Sequence, residues 1–227
     1  MMRAIGATWK SLVLSAVLVL VGAAAAQAGT TVAQWNMDEL SGTTMSDSSE
    51  NGNDGTIVNV TLGKSGDSGA EGDYAYSFDG STSAVTVPSS TSLNPGASDI
   101  TITVHIKTSV APGTGTDDYD LLRKGGAYNI EIYPKIKFGS RAKCKFRGDL
   151  GRAVFAAGPD LIDGAWHTIT CQKTASSVSL TVDGTTYTRS IAIGDIRSNK
   201  QPVAIGWQTT STDYYNGRMD DVSIVIG

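Results

Sequence analysis

Residues 177–190 read SVSLTVDGTTYTRS. Val178, Leu180 and Val182 alternate with Ser and Thr, the period-two pattern of a strand with one buried face. Asp183-Gly184 suits a tight turn, and TTYTRS carries the chain back beside the first strand. The stretch is a β-hairpin, and the same grammar extends outward from it. WHTITCQK, ITITVHIKT, YNIEIY, IKF, AKCKF, AVTVP, PVAIGWQ and DDVSIVIG are each of strand length, as are TVAQWNM, GTIVNVTL and YAYSFDG. SDSSENGNDG and APGTGTDDYD between them are rich in turn-forming residues. No run of a dozen residues shows helical periodicity. Many short strands at regular spacing predict an all-β sandwich or jelly roll.

One alternating stretch is basic. In KIKFGSRAKCKFRG, residues 135–148, Lys135, Lys137, Arg141, Lys143, Lys145 and Arg147 take the odd positions, and Ile136, Phe138, Ala142, Cys144 and Phe146 the even ones. A two-residue Gly139-Ser140 turn would pair buried Phe138 with exposed Arg141, so parity predicts a three-residue turn or a bulge. Ile136 would then face Cys144, Lys137 would face Lys143, and Lys135 would face Lys145. Like charges directly opposite cost a few tenths of a kcal/mol each, so a neighbour or a ligand should offset them.

The rest of the chain is acidic, with 18 basic against 22 acidic side chains over 227 residues. Nine of the 18 basic residues fall between Arg123 and Arg152. Arg3 and Lys10 precede the apolar run SLVLSAVLVLVGAAAA, and Ala26-Gln27-Ala28 has the small-x-small form of a cleavage site. Residues 1–28 are therefore expected to be a secretory signal peptide and residues 29–227 one domain, secreted and extracellular. That length buries a full core without metals or staples. The acidic balance argues against non-specific nucleic-acid binding, and no further apolar run is long enough to span a membrane. An oxidising compartment favours pairing of the two cysteines. Cys144 shares its face with Ile136, Phe138 and Phe146, and Cys171 shares its face with Ile169, so both sulfurs point inward and a Cys144–Cys171 bridge is expected.

Six segments in order carry a family resemblance: VAQWNMDELSGTTMSDSSENGNDGTI, YAYSFDGSTSAVTVP, SLNPGASDITITVHIKT, LLRKGG, DGAWHTITCQKTASSVSLTVDG and YYNGRMDDVSIVIG. Together they resemble bacterial laminin-G-like, concanavalin A-like domains over the whole chain after the leader. The resemblance implies a two-sheet antiparallel jelly roll with its first and last strands as neighbours. His105 stands where that family has Trp. The fold carries lectins, carbohydrate-binding modules, adhesion domains and some glycanases, so function has to be read from the site.

For catalysis, the glutamates after the leader, Glu39, Glu50, Glu71 and Glu131, are well separated and form no E-x-D-x-x-E strand. Glycoside hydrolysis needs two carboxyl groups flanking one bond. His105 and His167 both sit in strands and read as packed or hydrogen-bonded rather than catalytic, so the chain is expected not to be an enzyme. For metal, Asp47 to Gly52 imitates the start of an EF-hand loop, but the twelfth position is Val58 and the stretch reads as a polar turn. The resemblance implies instead a structural calcium between the first strand, a loop and the last strand, with Asp220, Asp221, Asp38 and Asp79 as ligands. For glycan binding, Trp207, Tyr214, Tyr215, Asn216 and Tyr119 offer aromatic faces beside polar groups in loops, though such rings also serve as packing. The basic residues Lys135, Lys137, Arg141, Lys143, Lys145 and Arg147 are either a solvated face or a docking face for an acidic polysaccharide. The expected function is non-catalytic binding of an extracellular or cell-wall glycan by a monomer. An adhesion domain for a protein partner and a glycanase with an unrecognised site are the alternatives.

Overall fold

The computed structural model describes residues 29–113, 118–134, 139–208 and 213–227; residues 1–28 and the expected site residues Lys135 and Lys137 lie outside them. The first strands are β1 (Thr30–Trp35), β2 (Thr44–Met45), β3 (Gly55–Val58), β4 (Thr61–Ser65), β5 (Tyr74–Asp79) and β6 (Ala84–Val87). They are followed by β7 (Ile100–Lys107), β8 (Tyr119–Lys124), β9 (Tyr128–Tyr133), β10 (Arg141–Gly148) and β11 (Gly151–Ala157). The last are β12 (Trp166–Lys173), β13 (Ser177–Val182), β14 (Thr185–Ser190), β15 (Val203–Ile205) and β16 (Asn216–Ile226).

Two sheets result, and every pairing between these strands is antiparallel. One has the order β14-β13-β12-β7-β16-β5-β4, with β1 also on β16; the other has β11-β10-β9-β8-β15-β6-β3-β2. The opening hairpin forms as the sequence requires. Val182 pairs with Thr185 across Asp183 and Gly184, whose φ angles of 48° and 79° suit a two-residue hairpin turn. Val178, Leu180 and Val182 are buried, each contributing roughly 1.5–3 kcal/mol of apolar transfer. The alternating faces of β7 and β12 complete that side of the core. The first and last strands are neighbours, from Thr30 opposite Ile226 to Trp35 opposite Val222.

Strand β16 changes partner midway. Asn216 to Met219 pair with β5, and Val222 to Ile226 pair with β1. Between them lies a bulge against β7, where Asp221 has a φ of 41°. This kink places two carboxylates at the junction of three strands.

The cysteines form a disulfide, Cys144 to Cys171, with Cα atoms 5.7 Å apart. Cys144 lies on β10 and Cys171 on β12, so the bridge ties one sheet to the other through the core.

The expected hairpin of residues 135–148 is corrected. Both edges of β10 are taken, by β9 and β11. Cys144 faces Ile130 and Phe155, not Ile136; Lys143 faces Glu131 and Ala156; Lys145 faces Asn129 and Val154. The inward and outward parity of β10 is as read, with Ala142, Cys144 and Phe146 in the core. With β9 as its neighbour, β10 sets Lys143 opposite Glu131 and avoids the like-charge repulsion that the expected register would carry.

Candidate functional site

Three regions gather the polar chemistry. The first is the outer face of the sheet containing β8, β9 and β10. Glu131 is only 1% exposed and accepts from Arg123 Nη2 at 3.0 Å, with Lys143 in contact and Lys145 Nζ at 3.7 Å. Arg123 Nε donates to Asp120 Oδ1 at 2.8 Å, and Lys143 Nζ donates to Asp118 Oδ2 at 2.8 Å. Lys143 also lies over the Tyr133 ring, 4.6 Å from its centroid. Burial pushes the Asp120 carboxyl up to about 6, against the pull of Arg123. The middle of the basic stripe is thus an internal ion network. Lys143 and Lys145 are committed to carboxylates, Arg141 is half-buried beside Tyr133, and Arg147 alone of the described stripe residues is exposed.

Arg147 belongs to the second region, a groove at the far end of the same sheet. The β8–β9 turn (Gly126, Ala127) and the end of β10 (Arg147, Gly148, Asp149) form one wall, and Arg197, Ser198, Asn199 and Gln201 form the other, around a cavity of about 460 Å³. An adjoining cavity of about 520 Å³ shares Ser198 and Asn199 and adds Ser89, Ser90, Thr91, Asn94 and Lys200. The walls are tied together. Asp149 N donates to Asp195 O at 3.0 Å and Leu150 N to Ile193 O at 3.0 Å, an approach so close that a Cβ at Gly148 would stand 2.2 Å from the Ile193 carbonyl oxygen. Asn199 N donates to Asn94 Oδ1, and Gln201 N to Asn199 Oδ1. Beneath the junction of the two cavities, fully buried Lys124 donates to Ser89 Oγ at 3.1 Å and Gln201 O at 2.8 Å, and burial lowers its pKa. Arg147, Arg197, Lys124 and Lys200 have no carboxylate ion-pair partner among the described residues. Among the described residues, Asp149 is the one acidic residue of the two linings.

The third region is the corner made by the β16 bulge. Asp220 is fully buried; its Oδ2 accepts from Asp67 N and its Oδ1 from Asp221 N, both at 2.9 Å. Asp67, Asp73 and Asp220 bring ligand atoms within 4.8 Å of one another, as do Asp67, His105 and Asp221. Asp38 adjoins them, accepting from Tyr74 N at 2.8 Å. Burial first, and then Asp221 and Asp73, push Asp220 up to about 7; burial, Asp67, Asp73 and Asp38 also raise Asp221. Crowded like charges with nearly all-oxygen donors fit a hard cation. His105, where the resembled family has Trp, bonds to Asp67.

Asp79 does not join this corner. Its strand partner on β16 is Asn216, four residues before Asp220, and its carboxylate caps the next turn by accepting from Ser81, Thr82 and Ser83 N at 2.8–2.9 Å. Asp67 and Asp73, which do join it, come from GDSGAEGD, a Gly-rich loop whose acidic content was its only sequence signal.

The aromatic set divides. Tyr215 is fully buried, its hydroxyl 2.9 Å from Arg218 O and 3.1 Å from Lys107 O, and Tyr119 is buried with its ring edge-on to Tyr215. Both are core residues, not a platform. Asn216 opens β16, its amide near Asp79 O. Trp207 and Tyr214 are half-buried and stack on each other at 6.3 Å and 19°, with Trp207 Nε1 donating to Val85 O. Gly206, at a φ of 77°, packs against Phe78 where a Cβ would lie 2.2 Å from the ring, and turns the chain out to Trp207.

Among the residues weighed for catalysis, His167 has both ring nitrogens on carboxylates, Nδ1 to Asp183 at 2.7 Å and Nε2 to Asp163 at 3.1 Å. Asp47, in the EF-hand-like stretch, spends both oxygens on its own turn and on Gln34 N.

The family model of the concanavalin A-like lectin/glucanases matches residues 79–225. The chain belongs to the concanavalin A-like lectin/glucanases superfamily. Solved structures show the same concanavalin A-like fold at low identity. The binding domain of Paraclostridial mosquitocidal protein 1 matches with a TM-score of 0.67 at 16% identity over 86% of this chain and 48% of that one. Domain 4 of a GH43 extracellular arabinanase from Geobacillus stearothermophilus, in complex with arabinotriose, matches with a TM-score of 0.59 at 17% identity, covering 88% and 94%. The binding domain of botulinum neurotoxin DC, in complex with SialylT, matches with a TM-score of 0.63 at 11% identity, covering 86% and 48%. This chain spans about half the length of the toxin chains it matches. No curated protein sequence matches it. Among the described residues, no helix is long and apolar enough to cross a membrane.

Proposed function

We propose that the chain is a secreted, non-catalytic carbohydrate-binding domain whose glycan is acidic and lies in the groove walled by Arg147 and Arg197. The observation that carries this reading is the charge of that groove. Arg147, Arg197, Lys200 and buried Lys124 meet a single carboxylate, Asp149, amid amides and hydroxyls. Guanidinium forks suit carboxylate or sulfate groups, and Asn, Gln and Ser suit sugar hydroxyls. The arabinotriose held by a domain of the same fold supports carbohydrate as the ligand class. The Asp67, Asp73, Asp220 and Asp221 corner, with Asp38 beside it, would hold a structural calcium, neutralising carboxylates that burial alone disfavours.

The test is a glycan array of the mature protein in calcium, at low and moderate salt. Binding to uronate or sulfated polymers that fades with salt and weakens about tenfold or more in Arg147→Ala/Arg197→Ala supports the groove. Salt-independent binding to neutral glycans overturns the acidic reading in favour of Trp207 and Tyr214, and silence on every glycan overturns it in favour of a protein partner. Melting curves with and without EDTA test the calcium: removal should lower the melting temperature, and an unchanged curve refutes it.

A further inference from the structure

At the opposite end of β8 from the groove, Asp118, Asp120 and Asp213 each bring a carboxylate oxygen within 4.8 Å of the others. Proximity of three acids is common on surfaces, but Asp120 is different. It is 0% exposed, and its Oδ2 has no hydrogen-bond partner among the described residues. With Oδ1 held by Arg123 Nε, Oδ2 is the oxygen that Asp120 has left to give to the space it shares with Asp118 and Asp213. A buried carboxylate oxygen without a donor is costly unless something positive meets it.

We propose that Asp118, Asp120 and Asp213 hold a hard divalent cation of the calcium class at this end of the sandwich, separate from the β16 corner and independent of the groove. All three donors are carboxylate oxygens, the set that calcium prefers and softer metals do not. The neighbouring charges permit it. Lys143, which holds Asp118 Oδ2, is also paired with Glu131 and can leave Asp118 without losing its counter-ion. Three carboxylates fill only part of a shell of six to eight oxygens, so positions stay open to water or to hydroxyls of a molecule resting on the Trp207–Tyr214 pair beside it.

The experiment is calcium binding to the chelator-stripped mature protein by calorimetry, with terbium luminescence excited through Tyr119, Tyr214 and Trp207. Asp118→Asn/Asp213→Asn leaves buried Asp120 in place, and circular dichroism checks its fold. Asp67→Asn/Asp73→Asn serves as the control for the other corner. The expected result is that the first variant loses a calcium equivalent, or binds it about tenfold or more weakly, together with the sensitised terbium signal, while the control keeps both. Wild-type stoichiometry and signal in Asp118→Asn/Asp213→Asn, or no calcium bound by the Asp67→Asn/Asp73→Asn control, overturns the proposal.

Discussion

Replacing Glu131 with Gln keeps the shape of the side chain and removes its charge from beneath three cations. Glu131 is 1% exposed, with Arg123 Nη2 at 3.0 Å, Lys143 in contact and Lys145 at 3.7 Å. Breaking a buried ion pair by removing one partner costs about 3–5 kcal/mol, because the survivor is left desolvated and uncompensated. Arg123 keeps Asp120 and Lys143 keeps Asp118, so the lower end applies, about 3 kcal/mol. For a domain of this size that is about 6–12 °C in melting temperature. Lys145→Ala is the internal comparison: its ammonium is more exposed and its contact longer, so its loss should cost under about 1 kcal/mol. Urea titrations of both variants read the difference directly. If Glu131→Gln is no less stable than Lys145→Ala, the network is not what holds this face, and the lysines are free for an outside anion. Stronger binding of a sulfated polymer by a fully stable Glu131→Gln would make the same point.

Removing the disulfide by Cys144→Ala/Cys171→Ala opens a loop of sequence separation 27 and should cost about 3.5 kcal/mol, or about 7–14 °C, in thermal unfolding; a shift of under about 2 °C would contradict the cross-sheet staple. His167 gives a pH signature. Burial alone would lower its pKa, but hydrogen bonds to Asp183 and Asp163 outweigh it and raise it above 6.5. Its stabilisation is therefore complete below the unfolded value of 6.5 and lost as pH rises through the raised folded value. Because both carboxylates are half-exposed, the effect should stay under about 1 kcal/mol. His167→Gln should flatten that part of the stability–pH curve, and an unchanged slope would refute the assignment.

What the sequence discloses follows from what each residue can signal alone. Strands β7, β12 and β13 bury one face each and announce it by alternation, so the sandwich and the cysteine facing were legible. Strand β8 buries Asp120 and Lys124 as well as Leu121 and Leu122, and β11 turns Val154 outward and buries only Ala153 and Ala157, so neither has a clean period. Parity on β10 was readable, but its partner was not: alternation says which face is buried, not which strand lies alongside, and the Lys143–Glu131 pairing that favours β9 is visible only once β9 is placed. Tyr214 and Tyr215 differ in role because consecutive residues leave the backbone on opposite sides, which a loop reading cannot phase. The Asp220 corner was half visible. Its last-strand residues were recognisable, but Asp67 and Asp73 come from a loop whose approach depends on the bulge at Asp221.

The partner exchange along β16 has a consequence for the order of assembly. Its residues close on β1, β5 and β7, all formed from chain more than a hundred residues upstream. The sheet has no centre until that strand arrives, so the hairpins made by neighbours in sequence, such as β12–β13–β14, must wait as fragments for the longest-range contacts in the molecule. Folding of this kind is slow and nearly all-or-none with respect to the final strand. A chain cut before Asn216 would forfeit cooperativity itself, whatever local structure it kept.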